Sequence, residues 1–448
     1  MRLTDPQGEA FAVLSERLDP GSLAPLGLAL SGGGDSVALL LMATAWARRH
    51  GRPVVAFTVD HGLHPDSGRW TAAAGAAAAR AGARWRALAW DGDKPATGLP
   101  AAARTARHRL IAKAARAEGV SVVLIGHTAD DLLEAALMRA EGSTTPDPKV
   151  WSPSPAWPEG RGLFLLRPLL SVRRQALRDW LERQGASWIE DPGNADPRFA
   201  RSRARSRLAS EDVGDGPQRE VEQGEVLASC STPDGRLMVA RADLGPGSYR
   251  FMAMALVCAS GGARPPRRAA LERLLARLTS GEDFTAALGG ARLEADGRHV
   301  TFGREAGERA RGGLAVTPVS PNEATIWDGR FAIKAEVAGA VAPLAGRMAK
   351  LPPAERQALR ALPAAARSAI PVFLDSAGEV RLPQPFGSAP ASATSLVGAR
   401  LAAACGRIQR EGDIWARVSD NGAEGLGPLS WGSGLSDAGN WTGGEGRM

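Results

Sequence analysis

Cysteine, tyrosine and lysine are scarce in this chain. Its 448 residues hold three cysteines and one tyrosine, and only Lys94, Lys113, Lys149, Lys334 and Lys350 are lysines among 55 basic residues. The cysteines, Cys230, Cys258 and Cys405, lie far apart and form no C-x-x-C pair. That excludes a disulfide framework and a cysteine-rich zinc site, and it fits a reducing compartment. Long apolar runs are missing as well. The longest, Val37 to Ala47, falls short of the ~18 residues a membrane-spanning helix requires. The first residues show no basic region followed by an apolar run, so a cytoplasmic location without a secretory signal is expected. With 44% hydrophobic and 23% charged residues, a wholly disordered chain is excluded. At ~150 residues per domain the length suggests about three units.

The net charge of +7 is unevenly spread. Residues 1–210 carry 28 basic against 21 acidic side chains, and the remaining 238 carry 27 of each. The preference for arginine over lysine, alongside 53 glycines, reflects a compositional bias, but that bias does not explain the asymmetry. A localised basic excess points to phosphate-bearing partners.

Over the first ~210 residues, short apolar runs alternate with amphipathic ones. Leu26–Leu30, Pro53–Val59, Arg84–Trp90, Val120–Ile125 and Leu163–Leu166 read as strands. The intervening stretches, among them Ala101–Glu118, Asp130–Glu141 and Val172–Gln184, show helical spacing. The expected class is α/β, a parallel sheet with helices on both faces and ligands at the carboxyl ends of its strands. Residues 1–210 form the expected catalytic domain, 211–223 a linker and 224–310 a central α+β domain with helices near 250–259 and 267–278. Residues 311–412 form a further α+β region, and 413–448 a Gly- and Ser-rich tail. Between Ser143 and Arg161 runs a proline-rich connection with Trp151 and Trp157. These tryptophans read as packing anchors or, alternatively, as platforms for bases.

The strongest single feature is Ser31-Gly32-Gly33-Gly34-Asp35-Ser36, set between an apolar strand and a helix. Three glycines allow a tight turn and close approach of a ligand, and the amides of a helix N-terminus attract anions. Ser31 and Ser36 supply hydroxyl donors, and Asp35 can hold Mg²⁺ against phosphates. No G-K-[ST] follows the glycines and no G-x-G-x-x-G is present, so neither a Walker A loop nor a dinucleotide fingerprint applies.

SGGGDS is similar to the signature of the PP-loop ATP pyrophosphatases. That resemblance implies an adenine nucleotide α-hydrolase-like fold and cleavage of ATP between its α- and β-phosphates. Further segments follow in order: Asp60-His61-Gly62-Leu63, Ala103-Arg104 with Arg107, and Gly126-His127-Thr128-Ala129-Asp130-Asp131 with Glu134. Then come Arg167-Pro168-Leu169-Leu170 before Arg173 and Arg174, Glu190-Asp191-Pro192-Gly193-Asn194, and Arg201-Ser202-Arg203-Ala204-Arg205. As an ordered set, with the later TAALGGARL, FGREAG and TIWDGRFAI, they resemble the tRNA(Ile)-lysidine synthetase family over most of residues 20–340. Small departures from the family pattern are Ala135 after Glu134, Glu141-Gly142, Gly193 and His108.

The resemblance implies a ligase that uses ATP and Mg²⁺ to join free L-lysine to C2 of the wobble cytidine of an isoleucine tRNA with a CAU anticodon. An adenylated cytidine would be the intermediate. The residues fit such chemistry. The lysine amine has a reference pKa of ~10.4, so its deprotonation at pH 7 requires ~4–5 kcal/mol of help. Asp130, Asp131 and Glu134 share one helix face and could bind the ammonium and accept its proton, with Asp131 and Glu134 as the lysine-binding pair. His127 suits phosphate contact or proton transfer. His61, Arg104, Arg107, Arg201 and Arg205 would hold the triphosphate and the departing AMP.

Plainer roles stay open: Asp130 and Asp131 as helix-start carboxylates, the arginines of 201–207 as a solvated face, His61 and His127 as structural histidines. His50, His64, His108 and His299 read as structural or surface residues. A related tRNA thiolase is disfavoured because residues 1–229 contain no cysteine. A tRNA-binding module without catalysis is disfavoured by the intact carboxylates. Monomer and homodimer both remain open.

Overall fold

The computed structural model describes residues 5–143, 147–190, 200–210, 229–308, 313–321 and 323–414. The linker expected at 211–223 and nearly all of the tail expected from 413 lie outside the described residues. The chain divides into two compact units. The first comprises the described residues up to 210 together with 408–414, and the second comprises 229–407.

In the first unit, α1 (Pro6–Arg17) begins on Asp5, whose side chain accepts from the Gln7 amide. There follow β1 (Leu26–Ala29), α2 (Gly34–Arg49), β2 (Val54–Asp60), α3 (Ser67–Ala81), β3 (Arg84–Ala89), α4 (Leu99–Ala117) and β4 (Val122–Leu124). The unit continues with α5 (Ala129–Ala140), β5 (Trp151–Pro153), β6 (Phe164–Leu166), α6 (Arg174–Arg183) and α7 (Ala200–Ser210). The sheet order is β3-β2-β1-β4-β6-β5, parallel except for β5 at the edge.

β1 and β2 are apolar at nearly every position because helices cover both faces. Val55 and Phe57 of β2 pack with Ile111, Ala112 and Ala115 of α4 on one face. On the other, Thr58 accepts from the Trp85 indole at 3.0 Å, and that ring lies against Gly75 of α3. The expected α/β class and its strands hold. The added element is β5, inside the proline-rich connection. It pairs antiparallel with β6, and proline is tolerated there because an edge strand leaves amides unpaired.

The strand order reverses between β1 and β4. The loops that follow these two strands therefore open the crevice in which such sheets bind ligands.

The second unit is α+β. Antiparallel strands β7 (Cys230–Ser231), β8 (Leu237–Ala240), β9 (Phe284–Leu288), β10 (Ala291–Ala295) and β11 (His299–Arg304) form one sheet, ordered β7-β8-β11-β10-β9. Its apolar face packs on α8 (Tyr249–Ser260) and α9 (Arg268–Thr279). Two smaller sheets follow. One contains β12 (Thr317–Val319), and the other contains the hairpin β13 (Ala324–Trp327) and β14 (Phe331–Ala335). The fully buried Arg330 of that hairpin shares Asp328 with Arg304 of β11, at 2.6 and 3.1 Å, which ties the sheets together.

Candidate active site

The SGGGDS loop lies at the carboxyl end of β1 and runs directly into α2. Gly32 adopts φ +87°, and a Cβ there would meet Ile189 at 2.5 Å, so both conformation and space demand glycine. The Gly32 carbonyl accepts from the Ile189 amide at 2.9 Å. Gly33 caps α2, and Gly34 faces the Trp188 ring. Ser36 donates to the Gly33 carbonyl at 2.8 Å and lies 3.1 Å from the Ser31 hydroxyl, so the loop is closed by its own side chains. Its concave side presents the first-turn amides of a 16-residue helix, an anion site.

Across the crevice, Gly126 brings the loop after β4 against this turn. A Cβ there would sit 3.1 Å from the Asp35 carbonyl. The helix that follows, α5, starts with a capping box. Asp131 accepts from the Thr128 amide at 2.7 Å and from its hydroxyl at 3.0 Å.

The expected carboxylates then divide. Asp130 accepts from the Arg174 amide at 2.7 Å and from the Arg173 guanidinium at 3.3 Å, which anchors the start of α6. Asp131 and Glu134, 5% and 1% exposed, turn toward arginines. Glu134 receives Arg174 at 3.0 Å, Arg201 at 2.8 Å and Arg205 at 2.9 Å. Arg201 also bonds to Asp131, and Arg174 reaches Asp35 at 3.1 Å. Three carboxylates (Asp35, Asp131, Glu134) are thus matched by three guanidiniums (Arg174, Arg201, Arg205). Burial pushes the Asp35 carboxyl up against the opposing pull of Arg174. Burial pushes Asp131 up as well, but Arg201, His127 and the Thr128 amide outweigh it and hold the group below its ordinary value.

The histidines sit among cations. His127 accepts at Nδ1 from Arg167 at 3.0 Å, and burial lowers its pKa to about 4. His61, at the end of β2, accepts at Nε2 from Arg107 at 3.3 Å. Its buried Nδ1 has no partner among the described residues, and burial lowers its pKa to about 4 as well. Both rings are neutral at pH 7. Neither ring is therefore a cation at that pH. Burial lowers Arg104 and Arg107 on α4, helped by repulsion from Arg201 at both and from Arg104 at Arg107.

Residues 12–212 match the family described as the PP-loop domain. The tRNA(Ile)-lysidine synthase of Caulobacter vibrioides is 48% identical over 407 residues, covering 89% of this chain and 98% of that protein. The chain belongs to the tRNA(Ile)-lysidine synthase family. The family's enzyme from Hyphomonas neptunium is 36% identical over 71% of this chain and 94% of its own. That from Mesorhizobium japonicum is 36% identical over 80% and 83%. The PP-loop match supports use of ATP, and the relatives are named as enzymes.

Within this family site, Arg174 was not among the expected site residues, although it bridges three of them. A signal was available. Arg173 and Arg174 open a helix, where the macrodipole disfavours cations, so two arginines there need carboxylate partners. Gly126 and Arg167 belong to the sequence motifs, which by themselves assign them no role. His108, read as structural or surface, lies near Arg104, Arg107, Arg167 and His127, and burial lowers its pKa to about 3. Among the described residues no group of three or more His, Cys, Asp or Glu could hold a metal ion by itself. One aspartate at the loop nevertheless fits Mg²⁺, which takes one or two carboxylates and completes its shell with phosphates and water. Asp191–Asn194 lie outside the described residues.

Proposed function

We propose that the chain joins free L-lysine to the wobble cytidine of a CAU-anticodon isoleucine tRNA, in the cytoplasm, at the expense of ATP. The observation that carries this reading is the balanced cluster of Asp35, Asp131 and Glu134 with Arg174, Arg201 and Arg205 beside the phosphate loop. Asp35 would hold the Mg²⁺ that accompanies the nucleotide and screens its phosphates.

In the first step the cytidine C2 oxygen attacks the α-phosphorus and pyrophosphate leaves. The α2 N-terminus and the nearby arginines receive the charge that accumulates on the phosphates. In the second, the lysine amine attacks C2, the C2–O bond breaks, AMP leaves and the amine gives up a proton. The triphosphate competes for Arg174, Arg201 and Arg205. Each guanidinium it draws away leaves Asp131 or Glu134 short of positive charge in a buried setting, ready for the lysine ammonium. One of these two carboxylates then accepts the proton.

Incubating the protein with isoleucine tRNA, ATP, Mg²⁺ and lysine and then weighing the nucleosides tests this. Cytidine carrying one lysine less water is expected, with AMP released in equal amount and Asp35→Ala inactive. AMP release without lysine incorporation, or full turnover by Asp35→Ala, would sink the reading.

A further inference from the structure

Arg167 is a buried cation, 6% exposed, that forms no ion pair among the described residues. Burial lowers its pKa only to about 10, so it stays charged at pH 7. A buried charge without a contacting counter-ion is unfavourable, and here Asp131 attracts it only at a distance while Arg104 repels it. An apolar side chain of the same length would pack there at lower cost. What arginine adds is aimed donors. Nη1 donates to the Lys149 carbonyl at 2.7 Å and to the Ser152 hydroxyl at 3.0 Å, and Nε donates to His127 Nδ1 at 3.0 Å.

The backbone of Arg167 is held by the residue that leads into β5, since its amide donates to the Val150 carbonyl at 2.8 Å. Ser152 belongs to β5 itself. Trp151 of that strand stacks on Phe164 at 5.1 Å, and the indole donates to the Ile408 carbonyl at 2.9 Å. A line of bonded groups thus runs from Ile408 through β5 and Arg167 to the imidazole at the end of β4.

We infer that Arg167 is a positioning residue, held by β5, that fixes His127 with Nδ1 as acceptor and so keeps the proton on Nε2. The imidazole is then a permanent neutral donor suited to an anionic oxygen such as a phosphate. The other groups facing His127 are Asp131, Arg201, Arg104 and His108. Only Asp131 favours a protonated ring, and it is itself bonded to Arg201 and Thr128. This inference rests on the role given to His127 in the proposed reaction, but the arrangement can be read without any turnover.

The test is ¹⁵N-histidine NMR of the full-length protein without substrates, with the His127 signal assigned by its loss in His127→Gln. Wild type should show a single Nε2–H tautomer that resists protonation to about pH 5. Arg167→Met, which keeps the volume and removes the donors, should give mixed tautomers and titration near the ordinary value of ~6.5. Turnover should fall about tenfold or more, with KM for ATP within about twofold. Should Arg167→Met not fold, Arg167→Lys gives the same spectral reading, because an ammonium cannot serve all three partners in the guanidinium plane. An unchanged tautomer and titration in the folded variant overturns the inference, even if turnover drops. A wild-type protein that shows the expected spectrum but makes no lysidine leaves the inference standing and defeats the proposed reaction.

Discussion

At Glu134, three guanidiniums converge on one carboxylate that is 1% exposed. Removing its charge leaves Arg174, Arg201 and Arg205 with Asp35 and Asp131 only. Breaking buried pairs of this kind costs about 3–5 kcal/mol. Glu134→Gln keeps the shape and most contacts. We expect it to lower unfolding free energy by about 3 kcal/mol in urea titrations. In steady-state assays the KM for lysine should rise about tenfold or more while that for ATP changes little. An unchanged lysine requirement would remove Glu134 from the amine site. The spacing of Asp131 and Glu134 on one helix is legible from the sequence. The partner of Asp35 is not, because Arg174 lies 139 positions away and only the fold brings them together.

At the scale of elements, the ends of β2 and β4 and the middle of α4 place three histidines among arginines. Burial depresses His108 to about 3 and His127 to about 4. The unfolded chain takes up protons near pH 6.5 while these folded rings do not. Their contribution is therefore complete above about pH 6.5 and is lost as pH falls toward 4, by up to about 3 kcal/mol each. His61 acts in the same direction with less weight, since its ring is only half-buried. Urea unfolding of the wild type should thus weaken steeply from pH 6.5 to 5, and a His108→Gln, His127→Gln double variant should show a flatter profile. Equal pH slopes would contradict the neutral-histidine reading.

The same scale shows why β5 escaped sequence reading. Prolines and a three-residue length hide it, and its pairing to β6 is decided by tertiary contact. Strands β1, β2, β4 and β6 were legible because burial on both faces writes continuous apolar runs into the sequence, whereas the largely exposed edge strand β3 shows alternation instead.

Over the whole molecule, the first unit is discontinuous. Arg52, just before β2, forms a bidentate pair with Glu411 at 2.8 Å for both bonds, and neither side chain is exposed. Glu411 also accepts from the Asp19 amide at 2.9 Å, and the Gln409 carbonyl accepts from Arg17 at 3.0 Å. Ile408 and Ile414 are buried with it. A chain ending at Arg407, or the Glu411→Ala variant, leaves Arg52 buried without its partner. Denaturant unfolding should record a loss of roughly 3–5 kcal/mol. A loss below about 1 kcal/mol, the value of an exposed pair, would show that the segment is not part of this fold.

The sequence alone determined the α/β class, the phosphate loop and the family, and it named most of the residues that the fold brings together beside that loop. These follow from local rules: strand and helix periodicity, glycine where the backbone must turn, and motif residues carried on consecutive turns. Tertiary structure decided which carboxylates face the arginines and which anchor a helix, that Arg174 bridges them, and that burial lowers the His127 pKa. It also decided that residues 408–414 complete the first unit. Each of these depends on burial or on a partner scores to hundreds of positions away, and neither is written in the local pattern of the chain.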